Sequence, residues 1–125
     1  MSSEGPSILS DKVTAAIISA RHNIALIQGW ASGHDLDALK SDTMVRYAIE
    51  RAFIAIDSAI RDIPAYLLKA HAIPAGMITG FRNALAHTYD DILDERVILT
   101  IRDDLPALDV ALAALAGAAP KPSGS

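Results

Sequence analysis

Apolar residues recur along this chain in steps of three and four, the spacing of one face of an α-helix. The first series runs Val13, Ile17, Ala20, Ile24 and Ile27, with Ser10 ahead of it as N-cap, since a serine hydroxyl can accept from an otherwise unpaired backbone N–H. Gly29 and Gly33, with Trp30 between them, bracket its predicted end, and a short helical turn is predicted over residues 35–40. Asp42 caps a second and longer series: Val45, Ile49, Ala52, Phe53, Ile56, Ile60, Ile63 and Leu67. That stripe is wide, which predicts a central helix packed on more than one side, kinked or ended at Pro64. Residues 69–76, with Pro74 and Gly76, read as a connector. A third helix is predicted over residues 77–86, or as far as 89, and a fourth from near Asp94. The seam of the fourth is Ile98, Ile101, Leu105, Leu108, Leu112 and Leu115; its period continues past Pro106, so one kinked helix accounts for it. There is no sustained polar–apolar alternation and no Asn-Gly or Asp-Gly hairpin turn, so strands are not expected.

The predicted fold class is therefore all-α: an up-and-down bundle of four main helices plus a short one. The expected domain covers residues 10–116, with loose tails at 1–9 and 117–125, the second rich in Ala, Pro, Gly and Ser. A length of 125 residues fits one domain, and 51% hydrophobic residues suffice for a core. Without cysteine there is neither a disulfide frame nor a thiolate metal site. His22, His34 and His71 have no metal spacing, and Glu50 and Asp57 stand two turns apart with no Glu-x-x-His nearby, which argues against a di-iron bundle; no metal and no cofactor are expected. The first residues do not read as a signal peptide, and no uncharged apolar run approaches the roughly 20 residues of a bilayer span, so the expectation is a cytoplasmic protein with no membrane contact. The net charge of −4 counts against a broad surface that coats nucleic acid, though not against a small basic cleft, and it suits docking of a basic partner.

Chemistry concentrates in Arg82-Asn83-Ala84-Leu85-Ala86-His87-Thr88-Tyr89. On a helix Asn83 and His87 share one face, and Arg82 and Tyr89 another. An arginine with a histidine is a minimal set for cleaving RNA without a metal. Guanidinium matches phosphate in bidentate fashion and keeps its charge, while imidazole titrates near neutrality and can move protons. RNA supplies its own nucleophile in the 2′-hydroxyl. One arginine and one histidine per chain make a sparse site, which two copies facing each other would complete. Each residue also has an ordinary reading. Arg82 can be a surface arginine paired with Asp57 or Asp90, and His87 a histidine at a helix end. Tyr89 can be a core ring with its hydroxyl at the surface, and Asn83 a cap or a solvated position. The acidic run Asp90, Asp91, Asp94 and Glu95 reads as a solvated helix start or a surface for a partner.

The segment resembles the signature of HEPN ribonucleases, and the tyrosine two places after the histidine narrows the resemblance to the HepT type. Residues 35–40, the helix from Val45 to Leu67, Ile73-Pro74, Phe81-Arg82-Asn83 and Asp104-Leu105-Pro106-Ala107-Leu108 follow in the family's order, so the resemblance covers roughly residues 10–115. It implies a dimeric HEPN-like helical bundle whose two motifs line a shared cleft. It further implies a metal-independent ribonuclease toxin, acting on RNA with tRNA among the target classes, and an MntA-type minimal nucleotidyltransferase as antitoxin. On this resemblance Arg82 and His87 are catalytic, Asn83 supports them, and Tyr89 accepts AMP from the antitoxin. Many relatives carry Gly-Glu-Ala in the long helix where this chain has Ile56-Asp57-Ser58, so Asp57 keeps a carboxylate one methylene shorter; where relatives often have Trp after Ile-Pro, this chain has Ala75. The acidity and the shorter carboxylate leave a second reading open: a catalytically silent dimeric module that binds a nucleotidyltransferase.

Overall fold

The computed structural model describes residues 9–33, 35, 38, 41–73, 76 and 100–118. The predicted third helix, with Arg82, Asn83, His87 and Tyr89, lies outside them, as do Pro74, Ala75, the acidic run at 90–95 and Ile98. Among the described residues every regular element is helical.

Helix α1, Asp11–Ser32, starts where expected: Ser10 is in extended backbone, and its Oγ accepts from the N–H of Val13 at 3.2 Å. Leu9, just ahead of the cap, packs against the core and fixes the entry of the chain. Val13, Ala16, Ile17, Ala20, Ile24 and Ile27 form its buried face. The helix runs through Gly29 and stops at Ser32, so only Gly33 is the terminator; its N–H donates to the carbonyl of Ala31. Hydrogen bonding outweighs propensity here, with Ser32 Oγ donating to the Gly29 carbonyl at 3.0 Å. Beyond it Asp35 Oδ1 accepts from the N–H of Ala38 at 2.8 Å, and Asp42 N–H donates to the Ala38 carbonyl at 3.1 Å, which fits the expected short turn.

Helix α2, Thr43–Arg61, is capped by Asp42, which accepts from Val45 N–H at 3.1 Å. Pro64 ends it rather than kinking it. A proline disfavours helical backbone at the residue before it, and it starts a separate helix, α3, Ala65–Ala70. The carbonyl of Pro64 accepts from Leu67 and Leu68 at 3.0 and 3.2 Å. Lys69 and Ala70 thus belong to α3, not to the connector. The chain leaves α3 through a left-handed residue, Ala72, at φ 53°. Ala72 N–H donates to Lys69 and Ile73 N–H to Leu68, a paired closure that satisfies two terminal carbonyls and tucks Ile73 into the core.

The last element is a π-helical segment, Thr100–Asp104, continuous with α4, Leu105–Ala118. The expected kink at Pro106 takes this form. The proline ring would strike the carbonyl four residues back, that of Arg102, and the wider turn falls on that stretch. Leu105, Leu108, Leu112 and Leu115 are all buried, as the seam predicts; Gly117 and Ala118, expected in the tail, are the final residues of α4.

Helix α1 packs against both α2 and α4. The centre of the core holds Ile24 and Ile27 from α1, Ile49, Phe53 and Ile56 from α2, and the four leucines of α4. Each such side chain withdrawn from water contributes about 1.5–3 kcal/mol before the entropy of ordering it is counted. Outside the core, Arg21 of α1 reaches Asp109 of α4, Nε to Oδ1 at 2.9 Å. The hydrogen bond to Asp109, and then its charge, hold the Arg21 guanidinium above its ordinary value. No helix among the described residues is long and apolar enough to cross a membrane.

Candidate active site

Of the site residues expected from sequence, the described structure contains Asp57; Arg82, Asn83, His87 and Tyr89 lie outside it. Asp57 sits in the second half of α2, between Phe53 and Ile60 on the buried side of the helix. It is the one buried charged residue among those described. A carboxylate in such a place costs several kcal/mol of lost hydration unless charges and hydrogen bonds replace the water.

Part of that replacement comes from Arg61, one turn further along α2, whose Nε lies 3.2 Å from Asp57 Oδ2. The two side chains differ sharply in exposure: Asp57 is 5% exposed and Arg61 58%. The acid is thus inside the bundle, and the guanidinium runs out from it to the surface. The spacing of four residues puts both on one face of the helix. Arg46 and Glu50, both half-buried, lie on the same side about three and two turns before Asp57. A single stripe of α2 therefore carries Arg46, Glu50, Asp57 and Arg61 beside the apolar core residues. Arg61 was not expected from the sequence, although the Asp57–Arg61 spacing is visible there. Of the scattered histidines, His22 is exposed and His71 half-buried; His34 is outside the described residues.

Arg61 also lines an open cleft of about 420 Å³ where the start of α1 meets the junction of α2 and α3. Lys12 enters that cleft from α1, with its Nζ 3.7 Å from Asp62 Oδ1.

A sequence model of the family described as "Ribonuclease HepT-like" matches residues 20–115. This chain belongs to the HepT-like ribonuclease family. The match spans most of α1, all of α2 and α3, the Arg82–Tyr89 segment, and α4 as far as Leu115. The all-α arrangement agrees with the HEPN-like bundle that the HepT resemblance implied. No curated protein and no solved structure matches the chain.

Proposed function

We propose that this HepT-like protein is the toxin of a HepT/MntA-type toxin–antitoxin pair: a metal-independent endoribonuclease that acts in the cytoplasm as a homodimer, with tRNA as its substrate class. Membership of a ribonuclease family over residues 20–115, a span that includes Arg82 and His87, is the observation that carries this reading.

In the proposed reaction the 2′-hydroxyl of the RNA adds to the adjacent phosphorus and the bond to the 5′-oxygen breaks. His87 moves the protons: one leaves the attacking hydroxyl and one reaches the departing oxygen. Arg82 holds the non-bridging oxygens and offsets the charge that builds on them, with the fixed fork of a guanidinium. Asn83 supports this pair by hydrogen bonding. Asp57 supports it from α2 as a buried negative charge, and Arg61 shares that charge. Tyr89 is the residue on which an MntA-type nucleotidyltransferase places AMP.

The test is cleavage of a tRNA pool by the purified protein with EDTA present. Cleavage by the wild type and none by the Arg82→Ala, His87→Ala double variant supports the proposal; equal cleavage by both refutes it. The net charge of −4 favours one alternative, a silent module that binds the nucleotidyltransferase without cutting RNA. That alternative predicts capture of the partner and no cleavage by the wild type.

A further inference from the structure

We propose that the cleft between the start of α1 and the α2–α3 junction is a phosphate subsite for the RNA strand, with Arg61 as its principal contact and Lys12 as its second. This inference rests on the ribonuclease reading above and adds to it contacts for the strand from residues outside the Arg82–Tyr89 segment.

Three observations carry it. First, Arg61 is oriented from behind. Its Nε is engaged by Asp57, which is buried, and among the described residues this is its one ion pair. A guanidinium has five N–H donors in a planar fork, so one held at Nε keeps its terminal nitrogens for a ligand with two acceptor oxygens. Anchoring the side chain in advance removes part of the entropy that an unrestrained surface arginine loses on binding.

Second, Arg61 lies at the edge of a space that can receive a ligand. The cleft of about 420 Å³ is walled by Ile63, Pro64 and Leu68 and bordered by Lys12, Arg61 and Asp62. Two cations from two different helices face it, each already paired with one carboxylate: Lys12 with Asp62 at 3.7 Å and Arg61 with Asp57 at 3.2 Å. In an acidic protein phosphate is met by individual N–H donors that such pairs leave over rather than by a broad basic surface.

Third, both cations remain accessible: the Lys12 and Arg61 side chains are 72% and 58% exposed. An arginine whose role ended at neutralising Asp57 would need no cleft beside it and no second cation across the gap.

The experiment measures binding of a single-stranded RNA oligonucleotide to the full chain carrying His87→Ala, over a range of salt concentrations. Adding Arg61→Gln is expected to weaken binding several-fold and to lower the slope of log affinity against log salt by about 0.7, the value for one phosphate contact on a single strand. Arg61→Lys is expected to restore the slope but only part of the affinity, since an ammonium lacks the fork. Lys12→Gln should lower the slope with a smaller loss of affinity. In the otherwise wild-type chain, Lys12→Gln should raise KM more than it lowers kcat.

If Arg61→Gln and Lys12→Gln both bind RNA with the parent's affinity and salt slope while the wild type cleaves RNA, the subsite is overturned and the ribonuclease reading stands. If the wild type neither cleaves nor binds RNA, the ribonuclease reading fails and the subsite falls with it. Lys12→Gln leaves the Asp57–Arg61 pair intact, so it and Arg61→Lys decide the matter even if Arg61→Gln does not fold.

Discussion

Asp57 and Arg61 are joined across one turn of α2, Oδ2 to Nε at 3.2 Å, with the acid inside the bundle and the base at its surface. Buried ion pairs of this kind seldom add stability over a well-packed apolar side chain, because dehydrating the charges costs about as much as their attraction returns. A carboxylate retained there points to a task other than packing. Asp57→Leu is therefore expected to keep the melting temperature within a few degrees of the wild type, or to raise it, while RNA cleavage falls at least tenfold. Thermal unfolding and a cleavage assay on the same preparation check this. A parallel fall in both would make Asp57 structural and nothing more.

Two reciprocal substitutions test the backbone. Gly29 lies inside α1 and is exposed, and a Cβ built on it meets nothing within 4 Å. Gly29→Ala should stabilise the fold by about 0.5–1 kcal/mol, because alanine has less chain entropy to lose. Ala72 sits in left-handed backbone at φ 53°, where a side chain is strained. Ala72→Gly should gain a similar amount, about 0.5–1 kcal/mol, by removing that strain. Each should raise the melting temperature by roughly 2–5 °C, and the pair should be additive because the sites share no partner. A drop on Gly29→Ala would mean that α1 ends earlier than Ser32.

The orientation of α4 is checked by contrast along a single helix. Leu112 is fully buried and Val110, two residues away, is 68% exposed. Leu112→Ala should cost about 2–5 kcal/mol in denaturant unfolding, the range for removing a core leucine. Val110→Ala should stay within about 0.5 kcal/mol of the wild type. Similar losses at both positions would show that something covers the outer face of α4 in solution.

Much of this fold was legible in the spacing of apolar residues, because a helix that buries one face imposes its period on the sequence. The caps at Ser10 and Asp42, the buried stripe from Ile49 to Ile63 and the leucine seam of α4 all follow from that period and from capping chemistry. Pro64 was recognisable as a boundary, but kink or end depends on whether the helix that follows shares the axis, which no local rule decides. The π segment before Pro106 and the left-handed Ala72 were not legible. Pro106 marks a disturbance without saying whether the helix kinks or widens, and the closure at Ala72 uses local hydrogen bonds that alanine, unlike glycine, does not signal. The sequence suggests Arg82 as a partner for Asp57; the Arg61 contact is legible only as a spacing of four on a predicted helix. For the proposed catalytic segment, the type and order of Arg82, Asn83, His87 and Tyr89 carry the reading, which stands on sequence and family membership.

The proposed control of the site through Tyr89 can be tested by mass and activity together. In the proposed transfer the Tyr89 phenol oxygen attacks the α-phosphorus of ATP, a new phosphodiester forms, pyrophosphate leaves and the phenolic proton is lost. Tyr89 stands two residues from His87 and seven from Arg82. On the proposed reading, AMP on Tyr89 adds a negative phosphate and bulk to the same segment as Arg82 and His87 and so competes with RNA phosphate. Incubation with an MntA-type nucleotidyltransferase, ATP and magnesium should raise the intact mass by one or more AMP-sized units, and RNA cleavage should fall in proportion to the modified fraction. Tyr89→Phe should gain no mass and should keep cleaving after the same treatment, since the ring is retained and only the acceptor oxygen is gone. Cleavage that falls equally in Tyr89→Phe would place inhibition in the binding of the partner rather than in the AMP. A mass gain retained in Tyr89→Phe would move the acceptor to another side chain.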